Sequence, residues 1–381
     1  MDKTRRLRFK AVGDNLIHKE LYRAAALPEG GYCFDRLFDG VRERLREADV
    51  AALNQETILV RDASRVSSFP SFGSPVQVGE AAARAGFTVV THASNHALDK
   101  GLSGVQETIA FWRERESAVR MLGLHESAAE QAQVPVIMVN GIRLALLNYT
   151  EKLNYRPLPL TAPYCVDVMK PRRKRALRAQ LQRAREQADF VVVFPHWGCE
   201  YLYEPVASQR EWAAFFAEAG ADLIVGTHPH VVQNAEWLTA PDGRRVLCLY
   251  SLGNFVSCQV KAGTMLGAMA EIEIEKPEGG GARIVSQRLT PLVTHTDADY
   301  SFFTTYLLDD YADALCRENK IFQVVRKNYG LTVDCAYLRG LFEDILAGRA
   351  QAYNEFQRPW DVTRSNIRGV CRALLGRNTK E

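Results

Sequence analysis

Apolar positions along the chain alternate between two rhythms. Leu37, Val41 and Leu45 recur at helical spacing, and residues 48–53 follow as a short apolar run with the length of a strand. The same pairing returns in residues 79–85, a helix closed by Gly86, before a strand over 87–91. Val105, Ile109 and Trp112 mark the next helix. Asn140-Gly141 joins runs 134–139 and 142–148 in the manner of a hairpin turn. A basic helix over about 171–187 feeds a strand at 189–194, and a helix over 208–219, ended by Gly220, feeds another at 221–225. Repeated helix–strand alternation predicts an α/β fold.

Past Leu247 the pattern changes. Residues 266–274 alternate like a half-exposed strand, 282–289 can pair with them, and the glycines at 279–281 connect the two. From Asp297 onward the spacing of Tyr306, Leu307, Tyr311 and Leu315 predicts a mainly helical segment with those residues on one face. On this pattern the carboxyl-terminal part reads either as a separate domain or as a helical cover. The chain's 381 residues are enough to bury a large core without covalent staples.

Composition narrows the field only a little. A formal charge of +3 is near neutral for this length and speaks against a general nucleic-acid binder. The eight cysteines are scattered, none in a C-x-x-C pair, and several lie in apolar runs, so they read as buried reduced thiols. The charged amino-terminal residues lead straight into a strand, with no segment resembling a signal peptide and no run long enough to span a bilayer. A cytoplasmic location is the expectation.

The chemistry sits where the apolar strands end. Asp14 and His18 follow the first strand, Asn54 and Glu56 the second, and Asn95 and His96 the third. His196 ends the run at 189–194, and His228 and His230 follow the one at 221–225. In α/β sheets ligands bind beyond the carboxyl ends of the strands, so these distant residues converge on one edge. Carboxylate, imidazole and amide oxygen together suit a borderline divalent ion such as manganese, iron, zinc or cobalt. One carboxylate shared by two such ions would hold them roughly 3.5–4 Å apart, as an in-line displacement at phosphorus requires. A strand-like loop would put His228 and His230 on the same side.

These residues fall within longer motifs: Gly13-Asp14 with His18, Asn54-Gln55-Glu56, residues 94–101 containing Asn95, His96 and Asp99, residues 196–201, residues 226–231 with Gln233, and residues 250–255. In that order they resemble the bacterial capsule-synthesis, or poly-γ-glutamate biosynthesis, family, which is similar to the calcineurin-like metallophosphoesterases. The resemblance implies a two-sheet α/β sandwich flanked by helices over 8–295, with a mainly helical carboxyl-terminal extension over 296–381. It implies two divalent metal ions, one held by Asp14, Glu56 and His230 with His18 a further candidate. The other would be held by Glu56, Asn95, His196 and His228. His96 would protonate a leaving group or stabilise charge on phosphate, and Asp99 would orient His96. Asp14 and His18 stand further apart than in the wider phosphoesterase pattern, and Gln55 and Thr227 replace the family's usual leucine and histidine.

The implied activity is hydrolysis of a phosphate ester on a phosphorylated or polyanionic substrate. Two alternatives are a metal-binding accessory of polyanionic polymer synthesis that does not hydrolyse, and a metal-dependent nuclease. His92, His125 and His295 read as structural, and the basic stretch 170–175 as a solvated helix face. Trp197, Tyr201 and Tyr203 fit either a substrate pocket or the core, and Ser251 or Asn254 could support the site from a neighbouring strand.

Overall fold

The computed structural model describes residues 4–154 and 156–350. Two large sheets face each other. The first runs in the order Phe303–Leu307, Arg283–Thr296, Leu266–Lys276, Arg5–Asn15, Val50–Gln55, Val89–Thr91, Arg120–Leu122, with Asn254–Val256 also paired to Arg5–Asn15. The second runs Ala235–Thr239, Arg245–Leu249, Leu223–Val225, Phe190–His196, Ile142–Thr150, Val136–Val139. In the second sheet the central strands are parallel and the two edge strands antiparallel, whereas in the first the strands from Arg5–Asn15 to Arg120–Leu122 are parallel and the side from Leu266–Lys276 to Phe303–Leu307 is antiparallel.

Strand parity explains the continuous apolar runs. Phe190, Val192 and Phe194 enter the core between the sheets with Phe9, Val50, Val89 and Leu144. Val191 and Val193 point the other way, onto Leu181, Trp212 and Phe216 of the helices Lys174–Gln187 and Ala207–Ala219. The first sheet's outer face is covered likewise, with Leu53 and Val90 against Phe38, Ala82, Phe111 and Trp112. A strand covered on both faces must be apolar at every position, so its sequence shows a run rather than an alternation. The α/β sandwich expected from the sequence is the fold the chain adopts.

The hairpin at Asn140-Gly141 forms with both residues at positive φ, 50° and 76°. Gly86 closes the helix Gln77–Ala85 at φ 112°. One expectation fails. Tyr306 and Leu307 belong to no helix; Phe303–Leu307 is a strand that pairs with Arg283–Thr296 at the sheet edge. Its composition, Phe-Thr-Thr-Tyr-Leu, is β-branched and aromatic, and the preceding strand offers a free edge. Helical spacing over so short a stretch lost to that pairing. The helices Asp313–Glu318, Lys320–Tyr329 and Cys335–Leu346 do follow. The part of the expected extension over 351–381 lies outside the described residues.

Candidate metal centre

The parity that fills the core also places the site. His196 is two residues beyond Phe194 on the inter-sheet face and is 1% exposed. Across from it, the Arg5–Asn15 strand shifts register between Val12 and Asp14 where it pairs with Val50–Gln55. The Asp14 N–H donates to the Gly253 carbonyl at 2.9 Å. A Cβ on Gly13 would stand 1.8 Å from that same oxygen, so only glycine lets the two backbones meet here.

Glu56 lies just past its strand. Its carboxylate is fully buried and neither oxygen has a hydrogen-bond partner. Oε2 faces His230 Nδ1 at 3.8 Å; Oε1 faces His196 Nε2 at 3.8 Å and His96 Nε2 at 3.9 Å. Asp14 Oδ2 is 3.2 Å from His230 Nδ1, and Asn95 Oδ1 is 2.9 Å from His196 Nε2. The His228 ring is centred 4.8 Å from that of His196 and 5.9 Å from that of His230. Asp14, Glu56, Asn95, His96, Asp99, His196, His228 and His230 thus gather at the carboxyl ends of both sets of parallel strands. Donor atoms of Glu56, His228 and His230 lie within 4.8 Å of one another.

His18 is placed differently. Its Nδ1 is 3.2 Å from the Leu16 carbonyl oxygen and 3.2 Å from the Cys258 amide nitrogen, and its ring meets the edge of Phe72. Phe72 also packs against His96. Burial, helped by His230, holds the His18 imidazole down to about 3, hence neutral.

The loop from His228 to His230 is not strand-like. Both histidines have left-handed backbones, φ 98° and 60°, on either side of Pro229. Their rings converge because the chain folds back, not because it extends.

Charge follows from burial and neighbours. Burial lowers His196 and His228 well below the ordinary histidine value, with the adjacent histidines adding to it, so both are neutral and able to ligate. Burial pushes the Glu56 carboxyl well up. Burial opposes charge on His230 too, yet Glu56 and Asp14 outweigh it and raise that imidazole to about 10. A buried carboxylate without a partner is costly, and a cation supplies what it lacks. His228 Nδ1 is also buried without a partner. Two orphaned groups facing one another, with a donor set of oxygens and imidazoles, fit a borderline divalent ion.

Several residues hold these groups in place from behind. Asn54 donates to Asp14 Oδ1 at 2.7 Å and is itself held by Thr91 at 2.8 Å. Thr227 Oγ1 meets His196 Nδ1 at 3.0 Å, which leaves Nε2 for the site. Asn254 Oδ1 stands 3.0 Å from His230 Nδ1, and its amide is fixed by Ser257, Gln259 and the Thr264 carbonyl. Ser251 instead ties the Val231 carbonyl. His96 Nδ1 is 2.6 Å from Asp99 Oδ2, while Asp99 also accepts the Phe72 N–H at 2.7 Å. Of the aromatic residues, Trp197 and Tyr203 are core, whereas the Tyr201 ring lies 6.0 Å from His230. His92, His125 and His295 have partners elsewhere: Trp112, Asp167 and Tyr311. No helix among the described residues is long and apolar enough to cross a membrane.

Comparison with known proteins adds a family. The chain is 30% identical over 214 residues to the PGA biosynthesis protein CapA of Bacillus subtilis, covering 55% of this chain and 51% of that one. It is 30% identical over 233 residues to the capsule biosynthesis protein CapA of Bacillus anthracis, covering 59% and 54%. The chain therefore spans about half the length of the curated relatives it matches. Among solved structures it resembles the NAD nucleotidase of Haemophilus influenzae at 11% identity and a TM-score of 0.45, covering 91% of this chain and 60% of that one. The family described as "Bacterial capsule synthesis protein PGA_cap" matches residues 8–259, a span that contains every residue of the centre. The chain belongs to this bacterial capsule synthesis family.

Proposed function

We propose that the chain is a metal-dependent phosphoester hydrolase acting on a phosphorylated or polyanionic substrate, with Glu56 shared between two divalent ions. The observation that carries this reading is the Glu56 carboxylate, buried without a hydrogen-bond partner, one oxygen 3.8 Å from His230 and the other 3.8 Å from His196. Asp14, Glu56 and His230 would hold one ion; Glu56, Asn95, His196 and His228 the other. His18 has its Nδ1 engaged by backbone groups, so only its Nε2 would be available to join the first set. Bound there, the ions supply Lewis acidity toward phosphoryl oxygens and lower the pKa of an attacking water.

The remaining residues position and move protons. Asp99 accepts from His96 Nδ1 and so turns Nε2 toward Glu56 and the Asn154 amide, 3.4 Å away. From that position a proton on Nε2 can be handed to a leaving oxygen. Thr227, Asn54 and Asn254 keep the ligand rings and carboxylates aimed. The enclosing core keeps bulk water from the ligands.

The test is metal content by elemental analysis together with hydrolysis of an aryl phosphodiester. About two transition ions per chain with turnover is the expected result. His196→Ala and His228→Ala should each abolish hydrolysis and lower the metal content; retention of both properties in both variants would sink the proposal. A second reading, a metal-binding accessory of polymer synthesis, is favoured by the names of the Bacillus relatives, which record biosynthesis and no hydrolysis. Metal without turnover across a broad phosphoester panel would select it.

A further inference from the structure

The C-terminal helices hold a second grouping of metal-binding atoms. Asp313 and Cys316 are three apart on the helix Asp313–Glu318, which puts them on one face. Cys335 opens the helix Cys335–Leu346, whose first turn is fixed by Asp334 accepting the Tyr337 N–H at 2.7 Å. Asp313 Oδ1 accepts the Cys335 N–H at 2.9 Å and so ties the two helix starts together. The two sulfurs are 3.6 Å apart. One donor atom from each of Asp313, Cys316 and Cys335 lies within 4.8 Å of the other two.

That spacing matches one chemistry better than another. Two metal–sulfur bonds of about 2.3 Å at a tetrahedral angle hold their sulfurs about 3.8 Å apart, close to the separation found. A disulfide needs about 2.05 Å, well short of the separation found. The Tyr311 hydroxyl lies between His295 Nδ1 at 2.8 Å and Asn319 Nδ2 at 3.2 Å, and Asn319 also donates to the Thr294 carbonyl at 3.0 Å. These bonds pin the segment around Cys316 to the strand Arg283–Thr296. Cys335 Sγ stands 2.9 Å from the Tyr311 carbonyl. Cys316 is buried and Asp313 exposed, so the fourth position of a tetrahedron opens to solvent on the carboxylate side.

We propose that Asp313, Cys316 and Cys335 bind a thiophilic divalent cation of the zinc class that clamps the two helix starts together. Binding breaks two S–H bonds, forms two metal–sulfur bonds and releases two protons to solvent, with no change of oxidation state. The site shares no residue with the Glu56 centre and does not depend on hydrolysis.

The experiment uses the full chain, kept reduced, with cobalt(II) as the probe. A near-ultraviolet thiolate-to-cobalt charge-transfer band is expected in the wild type. It should vanish in Cys316→Ser and in Cys335→Ser and persist in Glu56→Gln, which disables the other centre. Zinc should displace the band and raise Tm. Should the cysteine variants fail to fold, Asp313→Asn at an exposed position still decides: it should weaken zinc binding roughly tenfold or more, with the metal-free Tm unchanged. No band in the reduced wild type, a band that survives Cys316→Ser, or equal zinc affinity in Asp313→Asn would overturn the proposal. So would recovery of a Cys316–Cys335 disulfide by peptide mapping of zinc-loaded protein.

Discussion

The two ends of the parallel strands hold acidic groups in opposite ways. At the amino-terminal ends, Asp49, Asp189 and Asp222 each stand one residue before a strand, and each carboxylate accepts an N–H from the neighbouring strand. Arg8 donates to Asp49 at 2.7 Å, Arg143 to Asp189 at 2.9 Å and Val191 to Asp222 at 2.8 Å. Cations complete the set: Arg143 and Lys276 answer Asp189, and Arg185 and Arg244 answer Asp222. At the carboxyl ends the acids meet imidazoles instead of lysine or arginine, and Glu56 meets no hydrogen-bond donor at all. A carboxylate with matched partners holds strands in register. One buried without them is a standing cost to the fold that a bound cation removes.

The contrast can be broken most severely at Glu56. Glu56→Gln keeps the shape and removes the shared charge; hydrolysis should fall roughly a thousandfold or more, about 4 kcal/mol of barrier, with metal content falling too. Comparable loss from Gln at an amino-terminal aspartate would erase the distinction between the two ends.

Stability should respond the other way round. Asp222→Ala strands Arg185, Arg244 and the Val191 N–H, and a loss of about 3 kcal/mol is expected in denaturant melts. Glu56→Gln, compared in metal-free protein, should hold or gain about 1 kcal/mol. A matching loss in the two variants would mean that Glu56 is as well compensated as Asp222.

His96→Ala sharpens the division within the site. Turnover should drop about a hundredfold, near 2.7 kcal/mol, with metal content unchanged, because His96 handles a proton and holds no ion. Loss of metal in this variant would move His96 into the ligand set.

The smallest effect concerns pH. Arg143, through its side chain, and then Lys276 hold the Asp189 carboxyl well below its ordinary value of 3.8. A depressed carboxyl stabilises the fold above its unfolded pKa, and that stability is lost as pH falls through the folded one. Wild-type melts should therefore show a decline below 3.8 that is shallower in Asp189→Asn. Identical acid limbs would remove Asp189 from the set of matched acids.

Much of this arrangement could be read before the structure. Residues 189–194 announce a doubly covered strand because every position is apolar, and His196 follows in the parity that faces the opposite sheet. Placement of Asp14, Glu56, Asn95 and His228 after strand-like runs needs only the rule that sites lie beyond carboxyl ends. What escaped depends on long-range pairing. Phe303–Leu307 is a strand because Arg283–Thr296 offers it an edge. Asn54 reaches Asp14 only through the register shift beyond Val12. Neither left-handed position of the histidine turn, His228 nor His230, is a glycine that would betray it. Cys316 and Cys335 meet across an intervening helix, a distance that spacing rules for metal motifs do not scan.

The contact between Gly13 and the Gly253 carbonyl bears on how this protein would look to saturation mutagenesis. Every side chain at position 13 collides with backbone that cannot swing aside, so the position would score as intolerant as Asp14 beside it. An unlabelled fitness map would merge the two into one catalytic hot region. They separate under a different readout: Gly13 variants should be depleted from the folded pool itself, whereas conservative changes at Asp14 should remain abundant and merely inert. Depletion with and without selection for activity thus divides the residues that let the strands cross from those that the crossing serves.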